Sequence, residues 1–196
     1  MKKLLFFSVL LINSFAGQSQ SWVKNYDNVD ACECGLLKVS KDGKHGYANE
    51  QGKLIVPLIY DEGMSFSEGR AGIKIGNKWG FIDSTGTEFV KPQYAEVYSF
   101  HESMAVVSKG DVYGFIDTSG KLIIPFAYTN AKSFCYNLAP VCNNNNLWGF
   151  IDKTRKVVIP FQFNYADKFE DNTARVMKGG KWMYIDINGK VVKVDN

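Results

Sequence analysis

The sequence predicts an all-β protein built from tandem repeats of about 34 residues, and three columns of recurring residues carry that prediction. Trp79-Gly80-Phe81-Ile82-Asp83 returns as Tyr113-Gly114-Phe115-Ile116-Asp117, as Trp148-Gly149-Phe150-Ile151-Asp152 and as Trp182-Met183-Tyr184-Ile185-Asp186, with a worn first copy at His45-Gly46-Tyr47-Ala48-Asn49. A second column is Pro57, Pro92, Pro125 and Pro160, and a third is Phe66, Phe100, Phe134 and Phe169. Helical repeats share this period. Here, however, a Gly between aromatics, a Pro after an apolar run and turn pairs such as Ser119-Gly120 and Asn188-Gly189 oppose a helix.

The second copy shows the expected unit. Residues 71–75 form a first strand, Gly76-Asn77-Lys78 a tight turn, residues 79–83 a second strand, Ser84-Thr85-Gly86 another turn, and Glu88-Phe89-Val90 a third strand that stops at Pro92. Each unit is thus expected to be a short three-stranded meander. A linker follows over residues 94–100, with its counterpart over 128–134, where Ala131 and Phe134 at i, i+3 allow one helical turn or an irregular loop. Alternation sets Trp79, Phe81 and Asp83 on one face and Gly80 and Ile82 on the other, so both faces are apolar and Gly80 lets a neighbouring chain approach closely. Asp83, Asp117, Asp152 and Asp186 each precede a turn, where a carboxylate accepts backbone N–H groups. A calcium ladder would need several oxygen ligands converging in one loop, and each turn offers a single acid.

Residues 1–17 are expected to be a signal peptide: Lys2 and Lys3, an apolar stretch over residues 4–12, then Ser14-Phe15-Ala16. Residues 18–35 would be a lead-in, and residues 36–196 a β domain of about four and a half units whose two atypical ends act as caps. The expected mature protein is exported, periplasmic or secreted, with no membrane span. Setting aside Lys2 and Lys3, the 21 remaining basic residues nearly balance 20 acidic ones, which argues against nucleic acid as a partner. Export makes Cys32, Cys34, Cys135 and Cys142 disulfide candidates. In an open array the first two lie far from the later two, leaving Cys135–Cys142 as the possible bridge. The spacing of Cys32 and Cys34 lacks the second ligand pair of a structural zinc site, and no metal or other cofactor is expected.

The run Lys78-Trp79-Gly80-Phe81-Ile82-Asp83, followed by Gly86, Pro92, Tyr94 and Phe100, resembles the bacterial WG (or KWG) repeat family, over nearly all the mature chain. The resemblance implies a β-repeat fold and a binding or interaction module, with no catalytic residue to carry over. Tyr113 for Trp, Arg155 for the turn Gly and Met183 for the core Gly depart from the pattern. The units are expected to stack as an open or superhelical array, with a closed propeller-like ring as the alternative. Without a phosphate loop, nucleophile motif or paired histidines (His45 and His101 fall in different columns), no enzyme activity is indicated. A protein partner is therefore expected, with Trp22, Tyr98, Phe126, Tyr136 and Phe161 as candidate anchors. Carbohydrate or peptidoglycan bound through exposed aromatics is the alternative. Asn143-Asn144-Asn145-Asn146 lengthens one hairpin turn.

Overall fold

The computed structural model describes residues 21–30 and 36–195. The signal-peptide residues, Cys32 and Cys34 lie outside the described residues. After a short 3-10 turn (Ser21–Asn25), the chain forms five antiparallel sheets. The first contains β1 (Asn28–Asp30), β2 (Leu36–Lys41), β3 (Lys44–Asn49) and β4 (Leu54–Tyr60). The second contains β5 (Glu62–Gly63), β6 (Arg70–Ile75), β7 (Lys78–Asp83) and β8 (Glu88–Tyr94). The third contains β9 (Met104–Lys109), β10 (Val112–Asp117) and β11 (Leu122–Tyr128). In the fourth are β12 (Asn130–Ala131), β13 (Ala139–Cys142), β14 (Trp148–Ile151) and β15 (Val157–Phe163). The fifth holds β16 (Tyr165–Ala166), β17 (Ala174–Lys178), β18 (Lys181–Ile185) and β19 (Val191–Val194).

The expected three strands per unit are present, and the structure adds a fourth. The linker is neither a helical turn nor a loop: it supplies a short edge strand to the next sheet, as β5, β12 and β16 do. In the third sheet residues 95–98 play this part, with Ala95 and Tyr98 donating to Ser108 and Val106 carbonyls at 2.9 and 3.0 Å. The first sheet is likewise complete, because β1 pairs with β2 from within the lead-in. Among the described residues the five sheets do not close on one another, so the array is open.

One aromatic pair joins each unit to the next. Tyr47–Phe66, Phe81–Phe100, Phe115–Phe134 and Phe150–Phe169 each pack at steep interplanar angles, with centroids 4.9–5.1 Å apart. Each joins the third residue of a repeat motif to the Phe nineteen residues later, and all eight rings are buried. Edge-to-face contact adds about 0.5–1.5 kcal/mol to the burial of such rings.

The Gly and Pro columns are two halves of one device. Trp79 pairs with Tyr94 and Phe81 with Val90, so β8 carries two extra residues opposite Gly80. The same slip recurs opposite Gly46, Gly114 and Gly149. A Cβ on Gly114 would stand 2.6 Å from the Ile124 carbonyl oxygen, and one on Gly149 2.8 Å from that of Ile159. Proline fits the partner strand because the bulge leaves the ladder there, on an edge strand. The close approach expected at Gly80 is therefore made by a strand of its own sheet, not by another layer. Pro57, Pro125 and Pro160 are exposed and Pro92 is half-buried, so this column lies outside the core. In the fifth sheet Met183 pairs regularly with Val194, and the loss of Gly and the loss of Pro are a single change.

The two ends of the array differ. Gly120 and Gly189 pack against Val90 and Ile159, residues thirty positions earlier in the preceding unit. Gly52 meets Trp22 in the same way, so the 3-10 turn seats a Trp where a preceding sheet would place Val. At the other end Lys193, opposite Tyr184, occupies the position of Val56, Val90 and Ile159. Its ammonium lies 5.1 Å from the Tyr184 ring centroid, over the motif ring that the next unit's Phe covers elsewhere.

Cys135 and Cys142 are both free, so the Cys135–Cys142 bridge admitted by the sequence is not made. Cys135 bridges to Leu138 at one end of the strand pair, while Cys142 pairs with Trp148 at the other. Four residues of strand between Leu138 and Cys142 span about 13 Å, well beyond disulfide reach.

The turn after the second strand yields a paired prediction. Gly120 sits at φ +84°, and a Cβ on it would stand only 2.5 Å from Val90 Cγ2, whereas Arg155 takes the same left-handed place at φ +72°. Gly120→Val should destabilise by about 2–4 kcal/mol, from backbone strain plus overpacking, and Arg155→Gly should stabilise by about 1 kcal/mol. Chemical melts of both variants test the pair, and opposite signs are required.

Candidate functional site

The variable surface lies at one end of the sheets, where each cross-strand rung contains the first residue of a repeat motif. These rungs are Asn28–Ser40–His45–Tyr60, Glu62–Lys74–Trp79–Tyr94, Asn130–Cys142–Trp148–Phe163 and Tyr165–Met177–Trp182, with Ser108–Tyr113–Tyr128 in the third sheet. A single residue (Asp61, Thr129 or Asn164) turns the chain from one rung to the next. Asp61 accepts the Gly76 N–H and the Lys44 ammonium, each at 2.6 Å. The Lys44 contact, then the Gly76 N–H, holds its carboxyl below the ordinary range. Asn164 caps Gly179 in the same way at 2.9 Å.

The aromatic residues of this row are not bare rings. Trp148 is buried, and Trp79, Tyr113 and Trp182 are half-buried. Lys74 lies 5.5 Å over Trp79, Lys132 lies 5.4 Å over Trp148, and the Arg175 guanidinium lies 4.2 Å over Trp182. Lys132 also bonds the Tyr165 hydroxyl at 2.7 Å and the Asp167 carboxylate at 2.6 Å, linking the fourth and fifth units. Tyr113 donates to Glu96 at 2.8 Å; burial, and then that carboxylate, push its hydroxyl pKa well up. The row therefore presents ammonium, guanidinium and carboxylate groups, with aromatic faces beneath them.

Of the five candidate anchors, Tyr98 and Tyr136 are exposed at 42% and 38%. Phe126 and Phe161 lean on core clusters, and Trp22 is spent on Gly52. Tyr136 interrupts an inter-unit ladder that sequence comparison missed. Glu68 accepts the Ser103 N–H at 2.8 Å, and Glu102 accepts the Asn137 N–H at 2.9 Å, each reaching from one tight turn to the corresponding turn of the next unit. Tyr136 occupies the next place in that series at φ +55°, a left-handed conformation uncommon for a bulky residue. The signal was present as spacing, Glu68 to Glu102 to Tyr136, but acids on loops recur too often to stand out.

The remaining repeat residues serve the fold. Phe66, Phe100, Phe134 and Phe169 are core, and Gly80, Gly114 and Gly149 receive the bulge. The turn acids cap as expected: Asp117 Oδ1 accepts the N–H groups of Ser119 and Lys121 and the Ser119 hydroxyl at 2.6–3.0 Å. Asp83 and Asp152 do the same, and Asn49 and Asn143 cap two further turns, the latter in the Asn run. Among the described residues no three His, Cys, Asp or Glu gather to hold a metal ion, and no helix is long and apolar enough to cross a membrane.

The repeat described as "WG containing repeat" matches residues 46–79, 79–113, 113–146 and 148–182. The chain belongs to the WG repeat family. Its four-stranded sheet per repeat is the unit from which β-propeller blades are made. Among solved structures, the computationally designed Ika8 protein superposes at TM-score 0.56 with 12% identity, over 85% of this chain and 61% of its own. Hsv2 of Kluyveromyces lactis superposes at 0.54 with 15% identity, over 83% and 60%. The WD40 β-propeller domain of Doa1 gives 0.46 with 11% identity, over 86% and 67%. The WG-repeat chain spans about three fifths of the length of the first two. No curated protein matches it.

Two predictions separate structure from binding. Hydrogen bonds from the Thr85 or Ser119 hydroxyl, then those from the backbone N–H groups, hold Asp83 and Asp117 below the ordinary carboxylate pKa. Their contribution is complete above the unfolded value of about 3.9 and is lost as pH falls through the lower folded value. Melting temperature should hold from neutral pH to about 5 and fall below about 4, and Asp117→Asn should flatten that fall. Trp148→Ala should cost about 3–5 kcal/mol in a thermal or chemical melt. Unchanged stability with lost ligand binding would make the Trp row a recognition row.

Proposed function

We propose that this WG-repeat protein is an exported, non-catalytic module that binds another protein at the cell envelope or outside the cell. The observation that carries this reading is the cover on the Trp row. Sugar stacking needs an open ring face, whereas Lys74, Lys132 and Arg175 lie over three of the Trp rings. Mixed charges along one edge, with Tyr98 and Tyr136 exposed singly, suit the anchors and polar rim of a protein interface. Export rests on Lys2 and Lys3, the apolar residues 4–12 and Ser14-Phe15-Ala16. The absence of any recognised catalytic motif supports a binding role.

The test is affinity capture from envelope and culture-supernatant fractions of the source cells with the wild-type chain, Tyr98→Ala and Tyr136→Ala. A partner held by wild type and lost from either variant, with melting unchanged, is the expected outcome. Variants that retain everything the wild type retains would remove the tyrosines as anchors. Retention on peptidoglycan that Trp79→Ala or Trp182→Ala abolishes would favour glycan binding through the aromatic row instead.

A further inference from the structure

Two positions at the junction of the fourth and fifth units break a pattern that the earlier junctions keep. Glu68 reaches across to the Ser103 N–H at 2.8 Å, and Glu102 reaches to the Asn137 N–H at 2.9 Å. Lys153 then pairs with Glu102 at 3.5 Å. One repeat later Tyr136 stands in the place of Glu102, and Ile187 in the place of Lys153. An ion pair has been exchanged for two apolar residues, and both are exposed, at 38% and 42%. Neither fills the core, at a junction that Glu102 and Lys153 hold with charge one repeat earlier.

The exchange also vacates a hydrogen bond. Glu102–Ser103, Tyr136–Asn137 and Asp171–Asn172 share one left-handed turn, with φ of +50° and +66°, +55° and +60°, and +47° and +64°. The Asn172 N–H is therefore directed as those of Ser103 and Asn137 are. Tyr136 offers it no carboxylate, and among the described residues nothing else accepts it. The earlier junctions show what fits there: a carboxylate, whose charge-assisted bond to an N–H is about twice as strong as a neutral one. The acids of the same turn, Glu170 and Asp171, leave room for it, because Glu68 bonds the Ser103 N–H although Glu102 precedes Ser103 in the chain. Tyr136 and Ile187 supply apolar surface for a side chain beside that acid.

We propose that Tyr136, Ile187 and the Asn172 N–H form the docking spot for an acidic residue with an aliphatic neighbour on the protein partner. The partner's carboxylate takes the place that Glu102 takes one junction earlier. The spot rests on the protein-binding reading above and gives its Tyr136 anchor a chemistry. The probe is the blocked tetrapeptide Gly-Glu-Leu-Gly, with Gly-Gln-Leu-Gly and Gly-Lys-Leu-Gly as controls, titrated into the isotope-labelled mature chain and followed by NMR. The Glu peptide should saturate at millimolar concentration and move the Asn172 amide and Ile187 methyl signals, while Ser103 and Asn137 stay in place. The Gln peptide should bind at least about fivefold more weakly.

Tyr136→Glu combined with Ile187→Lys rebuilds the earlier junction, so this chain should melt no lower than wild type and bind the peptide at least about tenfold more weakly. Ile187→Ser, confined to an exposed turn, should weaken binding about threefold and decides the matter even if the double variant fails to fold. An Asn172 amide that no peptide moves, equal binding of all three peptides, or full binding by a folded variant overturns the proposal. A partner captured equally by wild type and the double variant also overturns it and leaves the protein-binding reading standing. Peptide binding without any captured partner supports the spot and removes that reading.

Discussion

The structure depends on a ring-on-ring contact repeated every 34 or 35 residues, between the aromatic third residue of each motif and the Phe nineteen positions on. A single sheet of four short strands cannot bury both of its faces by itself, so each unit draws its stability from the sheets on either side. The motif ring lies on the middle strand pair of one sheet, while its partner lies on the segment that has already entered the next. Each contact therefore fixes the position of a sheet by the one before it. This explains why Phe81, Phe100, Phe115, Phe134, Phe150 and Phe169 are among the most deeply buried side chains, whereas the more conspicuous Trp residues lie nearer the surface.

Once that contact sets the spacing, the chain has almost no length to spare between units. Only Asp61 separates β4 from β5, and only Asn164 separates β15 from β16. The edge strand must therefore shift its path before it leaves the sheet, which it does by the bulge that Gly receives and Pro tolerates. Capping of the neighbouring hairpin turn by Asp61 or Asn164 then holds the corner. Where Met183 replaces the Gly, the two-residue slip opposite that position is absent and only the later shift between Tyr184 and Ile185 remains; as in the other sheets, that shift sets Lys193 where an aliphatic residue elsewhere receives the following unit.

The columns made most of this legible. Repetition showed which residues maintain the fold, and the turn acids could be assigned from chemistry alone because a carboxylate before a Ser-Gly or Asn-Gly turn has few other uses. What stayed hidden was short or relational. A two-residue strand such as Glu62–Gly63 or Tyr165–Ala166 has no period to detect, so the fourth strand reads as linker. Gly and Pro stood as independent columns because their contact crosses a register slip, and Pro92 is displaced by one residue from its fellows. The aromatic anchors divided for the same reason: exposure of Tyr98 and Tyr136, and the seating of Phe126 and Phe161 against neighbouring units, follow from how sheets meet.

Singular residues are then the informative ones, because the repeat supplies a matched control for each. Along the later rungs Lys74 lies over Trp79, Glu96 is bonded to Tyr113, Lys132 lies between Trp148 and Tyr165, and Arg175 lies over Trp182, each reaching the ring from a different position of its unit. In every one of these a large ring fills the rung and a charged group lies against it. Only at His45 does the ring shrink, and there the charged pair Asp30–Lys38 stands beside open space with a buried nitrogen facing no partner. A scaffold that repeats one packing solution four times and departs from it once, replacing an apolar ring by a polar one, has exchanged stabilising contact for an unsatisfied hydrogen-bonding group. That exchange lowers the stability of the first unit relative to the later ones.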